Sequence, residues 1–250
     1  MVYFVGAGPG DVGLITVKGA ALLKKADVVL YTGSLVDAGL IKKYCKKARA
    51  FNSAAMHLDE TVRIMTNSAK RGKLVVRLHT GDPALYSAVS EQAFMLLKAG
   101  IPYEIIPGVS SAGAASARLK KELTVPGISQ TVIFTRLEGR TKVPQKERLA
   151  SLASHNATMC IFLSAGMIKK VVRELGKEYP SETPAAIVYR ATWRDEIKIT
   201  GTLRDIAKKA IEAGITRHAM IIVGGVLGEI AEGSFSRLYD REFSHSFRDA

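Results

Sequence analysis

Short continuous apolar runs alternate, along the first half of the chain, with longer stretches in which apolar residues recur every three to four positions. The short runs at 2–5, 28–31 and 103–106 read as strands, 48–51 as a weaker one, and Leu74-Val75-Val76 as the heart of a central parallel strand covered on both faces. Between them the helical period predicts helices over 14–25, 36–44, 59–71, 87–98 and 112–119. Thr16 is placed to cap the first, with Leu22, Leu23 and Ala26 turned inward. Val62, Met65 and Ala69 stand at core spacing in the third, and Ala99-Gly100 stops the fourth. This run of β-α repeats implies a parallel sheet with right-handed crossovers.

Residues 120–129 break the pattern: they are polar, carry Pro126-Gly127 and mark a boundary. A second set follows, with a strand over 131–135, a polar loop over 136–146 and a helix to about 154. A strand over 158–163 then leads into Ser164-Ala165-Gly166 and a helix over 168–179. Strands at 185–189 and 196–200 are joined by what reads as a tight connection, which predicts antiparallel pairing. A helix over 203–212 and a strand over 219–223 complete the set, and from Gly233 the chain is polar with scattered aromatics and reads as a surface-packing arm. The expected fold class is α/β: two α/β domains, 1–119 and 120–250, with a ligand cleft between them.

The loops after the strands hold the chemistry. Gly81-Asp82-Pro83 is a sharp, rigid turn at the carboxyl end of a strand, where open α/β sheets bind ligands. Gly8-Pro9-Gly10-Asp11-Val12-Gly13 matches GxGxxG between a strand and a helix. The match fails its context as a dinucleotide site: the second strand ends Leu30-Tyr31-Thr32 with no acidic residue for a ribose, and Pro9 removes a backbone donor. No GxxxxGK[ST] occurs, and the five histidines lie too far apart for a metal motif. Cys45 and Cys160 stand alone, as idle thiols do in a reducing compartment.

Composition is ordinary for a globular chain, at 47% hydrophobic and 7% aromatic, and no apolar run reaches the roughly 18–20 residues of a membrane helix. No signal-peptide pattern opens the sequence, so the expected location is cytoplasmic. The charge changes the picture more. With 36 Lys+Arg against 23 Asp+Glu the net charge is +13, which attracts polyanions, either nucleic acid or a small molecule rich in carboxylates. The densest run, Lys42 to Arg49, fits a solvated helix face. What remains is a set of glycine-bearing strand ends from both halves: 6–10, 81–83, 108–111 and 164–166. Exposed backbone N–H and C=O groups there suit a ligand with amide-like needs and no phosphate, such as S-adenosylmethionine.

These loops together resemble the tetrapyrrole methylase family, the two-domain methyltransferases of cobalamin and sirohaem biosynthesis. VGAGPGDVGLITVKGAALLKKADVVLY at the N-terminus is similar to that family's opening signature. YTGSLV at 31–36, MHLDE at 56–60, RLHTGDPALY at 77–86 and IPGVSS at 106–111 resemble the branch that methylates C11 of precorrin-4 or cobalt-precorrin-4. So do SQTVIFTRLEGRT at 129–141, IFLSAGM at 161–167, VYRATWRDE at 188–196, GTLRDIA at 201–207 and LYDREFSHSFR at 238–248. Two departures stand out: Arg194 where the branch pattern has proline, and Val125-Pro126-Gly127 where it has LPE.

The resemblance implies S-adenosylmethionine as methyl donor, held by Gly81, Asp82, Leu85, Ser110 and Ser111 from the first half. Phe162, Leu163, Ala191, Ala219 and Met220 would hold it from the second. It implies a polycarboxylate tetrapyrrole substrate lying over Gly8, Pro9 and Gly10, with neither nucleic acid, membrane nor metal as partner, and a homodimer. Arg136, Arg140, Lys142 and Arg190 are candidate partners for the substrate's carboxylates, or solvated loop residues. Asp82 is either a cofactor acceptor or a helix cap, and His57 either touches substrate, accepts the proton lost after methylation, or is structural; these two are the candidate catalytic groups. A basic RNA ribose methyltransferase on the same fold and a non-catalytic cofactor-binding module are the competing readings.

Overall fold

Five short strands pair in parallel to form one sheet. A computed structural model describes residues 1–229 together with 243, 244, 246 and 248. Most of the stretch from Gly233, expected as a surface-packing arm, lies outside the described residues. The chain divides into two units: Met1–Ala114 with Arg190–Glu196, and Ala115–Tyr189 with the described residues from Ile197 on.

In the first unit β1 (Val2–Gly6), α1 (Val17–Lys25), β2 (Val28–Tyr31), α2 (Ala38–Tyr44) and β3 (Arg49–Asn52) are followed by α3 (Leu58–Lys70) and β4 (Val75–His79). Then come α4 (Val89–Lys98), β5 (Tyr103–Ile106) and α5 (Ser111–Leu119), the last running across the division into the second unit. The sheet order is β3-β2-β4-β1-β5, with every pairing parallel. Thr16 does cap α1, its hydroxyl accepting from Gly19 N–H at 3.1 Å, an interaction that stabilises such a helix by about 1 kcal/mol.

Strand periodicity sorts side chains onto two covered faces. Val5, Val29, Val76 and Leu78 pack with Leu23 and Leu40 of α1 and α2. Phe4, Leu30 and Val75 pack with Val62, Met65, Val89 and Leu96 of α3 and α4. Each fully buried Leu or Phe in these layers contributes about 1.5–3 kcal/mol. That doubly covered sheet explains why β4 is buried along its whole length.

The second unit holds β6 (Val132–Arg136), α6 (Leu149–Ala153), β7 (Thr158–Phe162), α7 (Ile168–Leu175) and β8 (Pro184–Tyr189), then β9 (Ile197–Thr202), α8 (Ile206–Glu212) and β10 (Ala219–Val223). Its sheet, β6-β7-β10-β8-β9, is mixed: β6 and β7 are parallel, while β10 runs against β7 and β8, and β8 against β9. All three helices share one face, where Met159, Ile161, Ile187 and Ile221 meet Leu149, Val171, Leu175 and Ile206. The antiparallel β8–β9 pair is as expected, but its connection is a seven-residue excursion, Arg190–Glu196, that belongs to the first unit.

Candidate active site

β1 and β4 are neighbours in the first sheet, and their onward connections part: β1 leads toward the β2 edge, β4 across to β5. Such a divergence opens a crevice over the carboxyl ends of the two strands. The loops 7–13 and 80–88 begin there. Gly81, at φ +62°, donates its N–H to the Gly8 carbonyl at 2.8 Å, and Gly8 N–H returns a bond to Gly81 O at 3.2 Å. The loop after β5 closes in from the other side. A Cβ on Gly6 would lie 2.6 Å from Gly108 Cα and 2.7 Å from Gly81 O, so three backbones meet where no side chain fits.

Asp82 locks this junction. One carboxylate oxygen accepts from Ala84 N–H at 2.7 Å within its own turn, and the other accepts from Gly108 N–H at 2.8 Å on the neighbouring loop. Leu85, half-buried, completes the turn with its N–H on Asp82 O. Ser110 caps α5, its hydroxyl accepting from Ala112 N–H at 3.2 Å, and Ser111 N lies 3.7 Å from where a Gly81 Cβ would stand. Gly8, Gly81, Asp82, Ser110 and Ser111 are thus brought together. The loop continues through Tyr86 and Ala88, both at φ near +50°, a conformation that costs a non-glycine residue roughly 1–2 kcal/mol and tends to persist at functional sites.

Two cation-capable side chains stand behind the junction on β4. Arg77 is buried, donating to Ser53 Oγ at 2.8 Å and Gln92 Oε1 at 3.2 Å, and burial lowers its pKa to about 10. His79 is buried too, its Nε2 without a hydrogen-bond partner among the described residues. Burial, and then the nearby Arg77 charge, lower its pKa to about 3, so it is a neutral ring packed 5.8 Å from Phe4.

The excursion Arg190–Glu196 covers the first glycine loop. Thr192 Oγ1 accepts from Asp11 N–H at 2.9 Å, and Trp193 Nε1–H donates to Pro9 O at 2.8 Å. Ala191 is buried, and Arg190 stacks 4.0 Å from the Trp193 ring while pairing with Asp195. The Arg190 guanidinium is therefore already engaged within its own loop.

In the second unit, β7 ends in Phe162 and an exposed Leu163 at φ +54°. Antiparallel pairing sets the amino end of β10, Ala219 and Met220, beside that end of β7. Ser164 is buried, donating to Phe162 O at 2.7 Å and accepting from Leu137 N–H at 2.9 Å, which joins the ends of β6 and β7. Phe162, Leu163, Ala219 and Met220 therefore share one end of the sheet. Arg136 donates to the carbonyls of Thr141 and Lys142 at 3.1 and 2.9 Å, bracing the loop that carries the exposed Arg140.

His57 stands on the connection after the edge strand β3, as the N-cap of α3, its N–H donating to Glu60 Oε2 at 2.9 Å. Among the described residues no group of three or more His, Cys, Asp or Glu stands together to hold a metal ion. No helix among them is long and apolar enough to cross a membrane. Sequence reasoning missed Thr192 and Trp193; the available signal was the chain's single tryptophan lying in a polar connection.

The family model of the tetrapyrrole (corrin/porphyrin) methylases matches residues 1–207. The chain belongs to the tetrapyrrole methylase family. It is 53% identical over 248 residues to the cobalt-precorrin-4 C(11)-methyltransferase of Methanocaldococcus jannaschii, spanning 99% of this chain and 95% of that one. It is 44% identical over 248 residues to the precorrin-4 C(11)-methyltransferase of Pseudomonas aeruginosa, spanning 99% and 98%. The X-ray structure of a cobalamin-biosynthetic cobalt-precorrin-4 methyltransferase superimposes with a TM-score of 0.89 at 47% identity, covering 91% of this chain and 96% of that one.

Proposed function

We infer that the chain is an S-adenosylmethionine-dependent C-methyltransferase acting at C11 of precorrin-4 or cobalt-precorrin-4 in cobalamin biosynthesis. The observation that carries this is 53% identity across nearly the whole chain to a relative with that activity. The residues fit the donor. The strand ends offer backbone N–H and C=O groups and apolar side chains, with Leu163 exposed in a left-handed conformation, which suits an adenosyl ligand without phosphates.

S-adenosylmethionine, when bound, supplies an activated methyl group. The protein's part is then orientation and exclusion of water, and well-aligned reactants gain on the order of 7–11 kcal/mol from positioning. Gly81, Leu85, Ser110 and Ser111 of the first unit are assigned to the cofactor, with Ala191 from the excursion and Phe162, Leu163, Ala219 and Met220 from the second unit. Asp82 serves that site by fixing the backbone, since each of its oxygens already holds an N–H. The Gly8-Pro9-Gly10 turn lines the tetrapyrrole trough. Arg140, with the remaining donors of Arg136 and Arg190, faces the substrate's carboxylates, which gives the +13 charge a purpose. His57 is left with its helix-capping role. The enzyme works as a cytoplasmic homodimer.

The test is transfer of radiolabelled methyl from S-adenosylmethionine to cobalt-precorrin-4, precorrin-4 and RNA. Label in either tetrapyrrole supports the assignment. Label in RNA alone would replace it by the ribose methyltransferase reading, and cofactor binding without transfer by the non-catalytic one.

A further inference from the structure

The turn at Gly8–Gly10 cannot hold its own shape. Gly8 and Gly10 contribute no side chains, and Pro9 has no N–H to donate. Gly8 is tied to Gly81, and the Asp11 side chain holds Gly13 N–H at 2.7 Å. Two further polar groups of the turn are the Pro9 carbonyl and the Asp11 N–H. Both are taken by adjacent residues more than 180 positions along the chain: Trp193 Nε1–H donates to Pro9 O, and Thr192 Oγ1 accepts from Asp11 N–H. The Trp193 indole also occupies the space a Cβ on Gly10 would need.

The supporting segment is itself built to be held. Arg190 and Thr192 both sit at positive φ, 45° and 71°, a strain that persists only when neighbouring contacts over-determine it. Those contacts are present: Thr192 N–H donates to Glu196 Oε2 at 2.7 Å, Arg190 stacks on Trp193, and Asp195 pairs with Arg190.

We propose that Thr192 and Trp193 are positioning residues that hold the Gly8-Pro9-Gly10 turn in the shape the tetrapyrrole requires, with Arg190 acting through Trp193. The proposal rests on the reading of that turn as part of the tetrapyrrole trough. Its signature is a split between the two substrates, because Thr192 and Trp193 hold the Pro9 and Asp11 side of the turn, whereas Gly81, assigned to the cofactor, holds the turn at Gly8.

The experiment compares Thr192→Val, Trp193→Phe, Thr192→Ser and Gly10→Ala in the full-length protein. Hydrogen exchange on the peptide spanning 8–13 reads the turn, calorimetry reads the dissociation constant for S-adenosylmethionine, and steady-state methylation gives kcat and KM for cobalt-precorrin-4. Losing one of the two hydrogen bonds is expected to speed exchange at the turn and raise the tetrapyrrole KM roughly five- to tenfold. Cofactor affinity should stay within twofold, and Thr192→Ser, which keeps the hydroxyl, should behave as wild type. Gly10→Ala, which drives a methyl into the indole, should raise KM at least as much.

Three results would overturn the proposal. Unchanged exchange in Thr192→Val and Trp193→Phe would mean that these residues do not hold the turn. Faster exchange with unchanged tetrapyrrole KM, while Gly10→Ala still raises it, would mean that the turn matters but its support does not. An unchanged KM in Gly10→Ala as well would show that the turn does not meet the substrate, so that the underlying reading fails too.

Discussion

Replacing His79 by asparagine removes the one buried imidazole beside the glycine junction, and its consequence can be worked from the structure. His79 has an ordinary pKa of 6.5 when unfolded and about 3 in the folded protein, because burial and then Arg77 disfavour its charged form. Between those values the unfolded chain binds a proton that the folded chain refuses, so stability falls as pH falls from 6.5 toward 3 and is unaffected by this group above 6.5. At pH 4.5 the penalty is two pH units, or about 2.7 kcal/mol. Other groups titrate in the same window, so the informative quantity is the difference between wild type and His79→Asn. Urea unfolding followed by the emission of Trp193, the single tryptophan and a member of the same unit, measures it at pH 7 and pH 4.5. Whatever gap separates the two proteins at pH 7 should move by about 2–3 kcal/mol in favour of the variant at pH 4.5. A gap that stays constant would refute the claim that His79 is held neutral.

Asp82→Asn keeps one acceptor and Asp82→Ala none, so a clamp predicts graded losses, about 1–3 kcal/mol of stability per bond, with cofactor affinity falling in the same order; a common loss of kcat in both, with cofactor affinity intact, would instead mark a proton-transfer role. Leu163→Gly relieves a left-handed leucine, so thermal stability should hold or rise by up to about 1 kcal/mol while the S-adenosylmethionine dissociation constant increases, measured by calorimetry. Arg136→Met frees the carbonyls of Thr141 and Lys142, which should speed proteolysis of the 137–146 loop and raise the tetrapyrrole KM with little change in cofactor affinity.

Much of the first sheet was legible because its inner strands are covered on both faces: Val28–Tyr31 and Val75–His79 are buried almost throughout and carry the apolar runs such strands need. Boundaries set by capping chemistry were less so. α1 begins only at Val17, after its Thr16 cap, because 12–14 forms a separate 3-10 turn, and α4 begins at Val89 because Tyr86 and Ala88 take left-handed conformations first. The division after Ala114, within the α5 helix, is also invisible in composition, which marks the polar stretch 120–129 instead.

The glycines of these loops have separate physical reasons: a Cβ would lie 2.6 Å from backbone at Gly6 and 2.3 Å at Gly108, while Gly81 takes a φ of +62°. How the charged residues are used was not legible. Asp82 reads as a cofactor acceptor or a helix cap, and Arg136 and Arg190 as carboxylate partners or solvated loop residues; in the structure the first two bind backbone of their own or neighbouring loops and the third stacks on Trp193. The Arg190–Glu196 excursion reads as a tight turn because its partners, Pro9 and Asp11, lie more than 180 residues away. Sequence pattern reports local period well and distant hydrogen bonds hardly at all.

The most direct measurement is to supply S-adenosylmethionine carrying a ¹³C-methyl group with cobalt-precorrin-4 and, separately, precorrin-4, and to locate the new carbon by NMR. The account predicts one labelled methyl on C11 in the accepted substrate. A labelled methyl at any other ring carbon, or none in either tetrapyrrole, would contradict it.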